Sequence, residues 1–152
     1  NLVIADATPE RKFTRELCTR DNASKLDAWL KNTPVGFYPI EYAWKKGEHP
    51  KRGDFSPDYF LKQGSRIFVA EIKDDDQIKD PAPDNVKKHE YASAHFDRLN
   101  EWLKKEKLPT RYQFNMISPK DYGKFFTELR KGKLVGFRSE LDVAMVKAQS
   151  GK

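Results

Sequence analysis

The sequence predicts an α/β domain with a mixed four-stranded sheet, an antiparallel meander plus one parallel strand, flanked by helices. Three short runs rich in β-branched and aromatic residues follow one another between residues 37 and 73. A long helical pattern and one further apolar run come next. Short connections favour antiparallel neighbours and a helical crossover favours a parallel one. The first three strands should therefore form the meander, and the fourth should lie parallel to one of them.

A helical pattern precedes the strands, over residues 9–30. Pro9 suits the first turn of a helix, and apolar residues follow it at helical spacing. These apolar positions are Phe13, Leu17, Leu26, Trp29 and Leu30. Because Asp21 and Asn22 interrupt the pattern, we expect two short helices or one bent helix.

The strands themselves have clear boundaries in the sequence. They are predicted at residues 37–44, 55–61, 66–73 and 112–117. A polar loop over 45–53 joins the first two strands, and Gln63 with Gly64 forms a tight turn between the second and third. The helical crossover before the fourth strand is therefore the only long connection within the predicted sheet.

Two further helices are predicted around the fourth strand. An acidic loop over 74–84 leads into a long helix over 85–107. Its apolar stripe is Ala92, Phe96, Leu99, Trp102 and Leu103. Ser118 and Pro119 begin the last helix, which should end near residue 131.

These elements fit one domain over residues 9–133. Residues 1–8 are interpreted as a leader or the remnant of a linker, and residues 134–152 as a C-terminal extension of ambiguous structure. Because the chain does not begin with Met, we expect either a domain cut from a longer polypeptide or a trimmed form of the protein.

Composition narrows the class of partner. The net charge of +6 and the pI of about 9.3 favour contact with polyanions such as nucleic acid, although many basic domains bind none. The single Cys18 excludes an internal disulfide and favours a reducing, cytoplasmic compartment. One Cys and three His residues do not form a spaced zinc site. No apolar run approaches the roughly 20 residues that span a membrane, so no membrane partner is expected.

Charged residues interrupt the apolar third strand near its end. Glu71 and Lys73 are two apart, so they share a face of the strand. If Gln63 and Gly64 are the centre of the turn, Asp58 lies opposite Val69 and joins that face as a diagonal neighbour of Glu71. A shift of one residue in this register would put Asp58 on the other face.

Two carboxylates on one face predict a site for a hard cation. Asp58, Glu71 and the backbone carbonyl of Ile72 offer the oxygen ligands that Mg²⁺ or Mn²⁺ prefers. Lys73 beside them could orient an attacking water or stabilise charge on a phosphate. For Glu71 and Lys73 alone, the alternative is a solvated pair on an exposed strand.

These residues resemble the signature of the PD-(D/E)XK nuclease superfamily. The matching positions are Pro57-Asp58, then a hairpin, then Glu71-Ile72-Lys73. The chain resembles most closely the C-terminal endonuclease domain of type III-like restriction enzyme subunits, over residues 9 to 130. Segments 10–13 and 56–60, and the long helix between 85 and 100, carry this likeness. The resemblance implies a restriction-endonuclease-like fold and a Mg-dependent endodeoxyribonuclease acting on double-stranded DNA.

The resemblance also implies further site residues and partners. A glutamate on the first helix would reach the metal: Glu10, with Glu16 as second choice. A lysine on the long helix would face the phosphate: Lys88, with Lys87 as fallback. A helicase or ATPase domain or subunit would accompany the nuclease, and cutting both strands would call for a homodimer. Where several relatives have Gly after the catalytic lysine, this chain has three aspartates from Asp74 on, which leaves the DNA path open.

A basic segment before the Asp58 strand is a candidate phosphate clamp. The candidate nucleic-acid contacts are Lys45, Lys46, Lys51, Arg52 and Lys87. Two rival functions remain: a module of the same fold that binds nucleic acid or docks a subunit without hydrolysis, and a metal-independent structural domain.

Overall fold

The computed structural model describes residues 7–33, 37–46 and 49–151, with the backbone alone described at 44–46 and 49–50. Its helices are α1 (Thr8–Leu17), α2 (Arg20–Ala23), α3 (Asp76–Lys79), α4 (Pro83–Lys105), α5 (Tyr122–Arg130) and α6 (Glu140–Ser150). Its strands are β1 (Ala28–Lys31), β2 (Ile40–Lys46), β3 (His49–Phe55), β4 (Tyr59–Gln63), β5 (Arg66–Ile72) and β6 (Arg111–Ile117). A 3₁₀ turn (Pro119–Asp121) leads into α5. Of the predicted leader 1–8, residues 1–6 lie outside the described residues, and α1 already begins at Thr8.

The sheet confirms the predicted fold class. Its strand order is β1-β4-β5-β6, with antiparallel pairing of β1 with β4 and of β4 with β5, and parallel pairing of β5 with β6. Helix α4 provides the crossover from β5 to β6, as its position in the sequence predicts. Strands β2 and β3 form a separate two-stranded hairpin.

The first strand of the sheet is not the predicted one. The edge position belongs to β1, within the segment predicted to be helical. Its side chains alternate between exposed and half-buried, and Trp29 packs against the core while Leu30 faces solvent. Four residues are too few for this two-residue period to stand out from a helical one, so pairing with β4 decides the conformation.

Most of the predicted strand 37–44 lies instead in the hairpin as part of β2, and the predicted loop 45–53 contains the end of β2 and most of its partner strand β3. Strand β3 reads as a loop because it contains Pro50 and exposes Lys51, Arg52 and Asp54. The hairpin buries Ile40, Tyr42 and Phe55 in a cluster with residues of α4. The loop prediction was therefore wrong because the proline and the exposed polar residues concealed a strand that is defined by its pairing with β2.

The core consists of two clusters, one on each side of the sheet. On the α1 side, Phe13 packs with Tyr59, Phe68, Phe125 and other apolar residues. On the α4 side, Val69 and Phe114 pack with Phe96 and with residues of α6. Residues alternate between the two sides along β5, so Glu71 follows Val69 on the α4 side.

Helix α4 buries Val86, His89, Ala92, Phe96 and Leu103. Trp102, assigned to its apolar stripe from the sequence, is 54% exposed, because it lies one residue away from the buried position Leu103. The C-terminal segment, ambiguous in sequence, contributes Leu134 and Phe137 to the α1-side cluster. Its helix α6 contributes Leu141 and Met145 to the other cluster.

Candidate active site

Four of the predicted site residues line one open cavity at the end of the sheet where β4 begins and β5 ends. The cavity has a volume of about 270 Å³, and Glu10, Asp58, Glu71 and Lys88 are among its lining residues. Lys73 is joined to it through an ion pair with Glu71. The sequence and the fold thus bring together a first-helix glutamate, a strand pair and a lysine of α4.

The hairpin between β4 and β5 has a different register from the predicted one. Gln63 pairs with Arg66 and Tyr59 with Ala70, so the turn residues are Gly64 and Ser65, one position later than predicted. Gly64 has a φ of 59°, a left-handed conformation that glycine adopts without strain. The pairing moves by two residues, which preserves the face of every side chain. Asp58 therefore extends the ladder towards Glu71 rather than Val69, and the two carboxylates still share a side.

Asp58 is held by donors on both oxygens. Its Oδ2 accepts a hydrogen bond from the Ile72 N–H at 2.8 Å, and its Oδ1 accepts one from Lys31 Nζ at 3.1 Å. The N–H and C=O of one strand residue point to the same side of the strand. The predicted carbonyl ligand of Ile72 therefore also lies on the Asp58 side.

Glu71 has the most buried carboxylate of the cavity, with a side chain that is 7% exposed against 13% for Asp58 and 15% for Glu10. The whole residue is 5% exposed, and its Oε1 accepts a hydrogen bond from Lys73 Nζ at 2.5 Å. Its buried Oε2 finds no hydrogen-bond donor among the described residues. Burial and the charge of Asp58 raise the pKa of Glu71 well above the usual range, against the opposing charge of Lys73. Two neighbouring carboxylates that repel each other would both be stabilised by a bound cation.

Lys31 is a site residue that the sequence reasoning missed. Its Nζ lies 3.1 Å from Glu10 Oε2 and 3.1 Å from Asp58 Oδ1, and its side chain is 8% exposed. Burial works against its charge, but these two carboxylates outweigh burial and raise the pKa of Lys31. The only sequence signal is a lysine after Trp29 and Leu30, and the helical interpretation of that segment concealed it.

The two helices contribute Glu10 and Lys88. Glu10 of α1 lines the cavity, whereas the second choice, Glu16, is exposed and lines a different groove. Lys88 of α4 lies 2.7 Å from Asp84 Oδ2 and above the ring of Tyr42, which hold it at the cavity edge. Its fallback Lys87 instead pairs with Glu90 and does not line the cavity.

The predicted basic clamp is only partly described. Lys51 and Arg52 are exposed on β3 and do not line the cavity. Lys45 and Lys46 belong to β2, but their side chains lie outside the described part of the structure. The aspartate run after Lys73 is exposed, and Asp75 accepts a hydrogen bond from the N–H of Lys120.

The donor chemistry of the cavity fits a hard divalent cation. Over the described ranges, no group of three or more His, Cys, Asp or Glu side chains is arranged to hold a metal ion. Within the cavity, the ammonium of Lys31 lies between Glu10 and Asp58 and contacts both carboxylates. The buried Oε2 of Glu71 and the neighbouring Asp58 nevertheless supply oxygen ligands of the kind that Mg²⁺ and Mn²⁺ bind.

Comparison of the chain with protein-family models, curated proteins and solved structures finds no match. Membership of the PD-(D/E)XK nucleases thus remains a prediction from the residues quoted above. Within the described residues, no helix has the length and apolar character needed to cross a membrane.

Proposed function

We propose that the chain is a metal-dependent endonuclease domain that hydrolyses phosphodiester bonds of double-stranded DNA. The observation that supports this most is the buried Oε2 of Glu71, for which the described residues provide no donor. Leaving such a group unpaired costs about 1–3 kcal/mol, and more when it is charged. A fold tolerates that cost where the oxygen is needed for a ligand.

The residues of the cavity divide the work between them. Asp58 and Glu71, with the Ile72 carbonyl, would hold Mg²⁺ or Mn²⁺, and Glu10 would assist once Lys31 releases it. When bound, such an ion polarises the scissile phosphate and lowers the pKa of the attacking water. Burial works against the charge of Lys73, but the charge and hydrogen bond of Glu71 together with the charges of Asp58 and Glu10 raise the pKa of Lys73, so Lys73 stays charged. It can then orient the water and stabilise negative charge on the phosphate. Lys88 faces the phosphate from the α4 side.

A second candidate function is supported by Lys31. Because Lys31 pairs with both Glu10 and Asp58, the cavity could serve as an ion network within a module that binds DNA or docks a subunit without hydrolysis. The two functions differ in what a divalent cation does. Only the nuclease predicts that metal binding depends on Asp58 and Glu71.

The test is a cleavage assay on supercoiled and linear plasmid with Mg²⁺, Mn²⁺ or EDTA. Asp58→Asn, Glu71→Gln and Lys73→Met should each lower the cleavage rate by about 10²–10³-fold or more. Glu101→Gln, an exposed glutamate of α4, is the matched control and should cleave like the wild type. Circular dichroism would verify that each variant is folded. Undiminished cleavage by all three site variants would refute the nuclease.

Isothermal calorimetry separates the two candidates without relying on activity. The nuclease predicts heat on titrating Mn²⁺ into the wild-type domain and a weaker response from Asp58→Asn. If no metal-dependent heat is seen, or Asp58→Asn leaves that heat unchanged, the binding module is favoured.

A further inference from the structure

A second concave site lies between α1 and α5. Helix α1 contributes residues both to this site and to the carboxylate cavity. The helices run side by side in the same direction. Tyr122 donates a hydrogen bond to the Pro9 carbonyl at 2.9 Å, and Arg130 Nη1 donates one to Asn22 Oδ1 at 2.8 Å. Between these two points the rings of Phe126 and Phe13 are 5.1 Å apart. The groove between the helices has a volume of about 450 Å³.

The lining of this groove is basic. Lys12 and Arg15 of α1 are exposed and line it, and neither is paired with an acidic side chain of the described residues. Arg130 of α5 donates to the neutral oxygens of Asn22 and Thr127, so these bonds leave its charge uncompensated. Among the described residues, Glu16 is the one acidic residue that lines the groove. Three cations against one carboxylate leave a net positive charge.

The spacing of the cations favours an extended anion. Lys12 and Arg15 are three residues apart on one helix, so their Cβ atoms are about 5–6 Å apart. Arg130 lies on the other helix, at the end of α5 next to α2. The three charges are therefore spread along the groove. A site for a single phosphate would instead have its cations converge on one point.

The groove has a firm floor and an open wall. Tyr122 and Phe126 are 7% and 2% exposed and belong to the α1-side core, so the floor is fixed by packing. Gly123 of α5 lines the groove, and a Cβ added there would meet no atom within 4 Å. A side chain at position 123 would thus extend into open space.

One end of the groove reaches the carboxylate end of the sheet. The Lys73 N–H donates to the Ile117 carbonyl at 3.0 Å, and Pro119, which lines the groove, follows two residues later. At the same end Tyr122 binds the carbonyl of Pro9, the residue before Glu10. A polyanion could therefore continue from the cavity over the start of α1 into the groove.

We propose that the groove between α1 and α5 binds the phosphodiester backbone of a nucleic acid. The inference rests on the proposed nuclease function in one respect: it assumes that the bound strand continues into the groove from the carboxylate cavity. The groove would supply affinity without reading sequence, since contacts to phosphates carry no base information.

The experiment measures binding of a labelled 20-base-pair DNA duplex by fluorescence anisotropy in EDTA, so that no cleavage interferes. Gly123→Glu places a carboxylate in the groove and should weaken binding about tenfold, whereas the uncharged Gly123→Gln, which has a similar size, should weaken binding clearly less. Lys12→Gln/Arg15→Gln should also bind about tenfold more weakly, and the slope of log K against log salt should fall by about 1.8. Lys104→Gln/Lys105→Gln, exposed at the far end of α4, is the charge-matched control and should leave binding near the wild-type level.

Several results would overturn the proposal. They are no duplex binding by the wild type, equal weakening by Gly123→Glu and Gly123→Gln, or equal weakening by the two double variants. Competition by inorganic phosphate as effective as that by unlabelled duplex would assign the groove to single anions instead. Cleavage with Mg²⁺ is scored separately. If the wild type binds DNA through the groove but does not cleave it, the groove proposal holds and the nuclease proposal fails. If the wild type cleaves DNA but its duplex binding does not change on substitution of Gly123, the groove proposal fails.

Discussion

Two buried carboxylates on the α4 side of the sheet, Glu71 and Asp142, have opposite surroundings. Asp142 of α6 is 2% exposed, and its Oδ1 lies 2.7 Å from His89 Nε2 and 3.3 Å from the Met116 N–H. Its Oδ2 accepts from Arg138 Nε at 3.2 Å. Glu71 is 5% exposed, and its Oε1 accepts a hydrogen bond from Lys73 Nζ. The described residues provide no hydrogen-bond donor for its Oε2.

This difference distinguishes a carboxylate that holds the fold from one that is available to a ligand. Asp142 ties α6 to α4 and β6, and both of its oxygens are satisfied. Glu71 carries a desolvation cost that its single partner does not offset. Neutralising the two residues should therefore change the free energy of unfolding in opposite directions.

The largest effect on stability is expected at Asp142. Asp142→Asn weakens its pairing with His89 and Arg138, and should lower the free energy of unfolding by about 3 kcal/mol. Urea denaturation, with the m-value held constant, measures this loss. Asp97→Asn, an exposed aspartate of α4, serves as control. Equal unfolding midpoints for Asp142→Asn and the wild type would show that the charge of Asp142 does not stabilise the fold.

Lys31 tests whether the active-site carboxylates depend on an internal cation. Lys31→Met leaves Glu10 and Asp58 without their shared ammonium and should destabilise the metal-free domain by about 2 kcal/mol. Millimolar Mn²⁺ should then raise the melting temperature of Lys31→Met more than that of the wild type, because the ion takes over the role of Lys31.

The matched control is Lys62→Met on the adjacent strand, which breaks an exposed pair with Asp27 at 3.4 Å. Exposed pairs contribute little, so this variant should remain near the wild type with and without metal. An identical metal response from the wild type and Lys31→Met would mean that Lys31 does not stand in for a cation.

Glu71 gives the smaller and opposite change. Glu71→Gln removes a buried carboxyl whose charged form is disfavoured by burial and by Asp58, so stability should stay level or rise by about 1 kcal/mol while cleavage is lost. The same urea series measures it beside Asp142→Asn. A loss as large as that of Asp142→Asn would show that Glu71 is a structural residue after all.

The sequence predicts the Glu71 site far better than the Asp142 network. Asp58, Glu71 and Lys73 belong to one hairpin, and strand alternation places them on one face even though the turn is one residue later than predicted. Two partners of Asp142, His89 and Met116, come from distant segments that only the tertiary packing of α6 brings together, whereas Arg138 is four residues away in the chain. Lys31 was missed for a similar reason, since its strand is defined by pairing with β4 and not by its own pattern.

The smallest effect on stability is expected from the imidazole of His95 in α4, and it depends on pH. Its Nε2 lies 2.8 Å from the Tyr38 hydroxyl, and burial together with the charge of Arg98 lowers the pKa of His95 below its ordinary 6.5. The folded state therefore binds this proton less readily than the unfolded state. The contribution of His95 to stability is complete above pH 6.5 and is lost as the pH falls through the lowered pKa.

Melting temperatures between pH 8 and pH 5 should consequently fall less for His95→Gln than for the wild type. Tyr38→Phe removes the hydroxyl but keeps the imidazole and its burial, so it should retain most of the pH dependence. The difference between the two variants isolates His95 from His89, which both retain. Parallel pH profiles for His95→Gln and the wild type would show that His95 does not contribute to the loss of stability at acid pH.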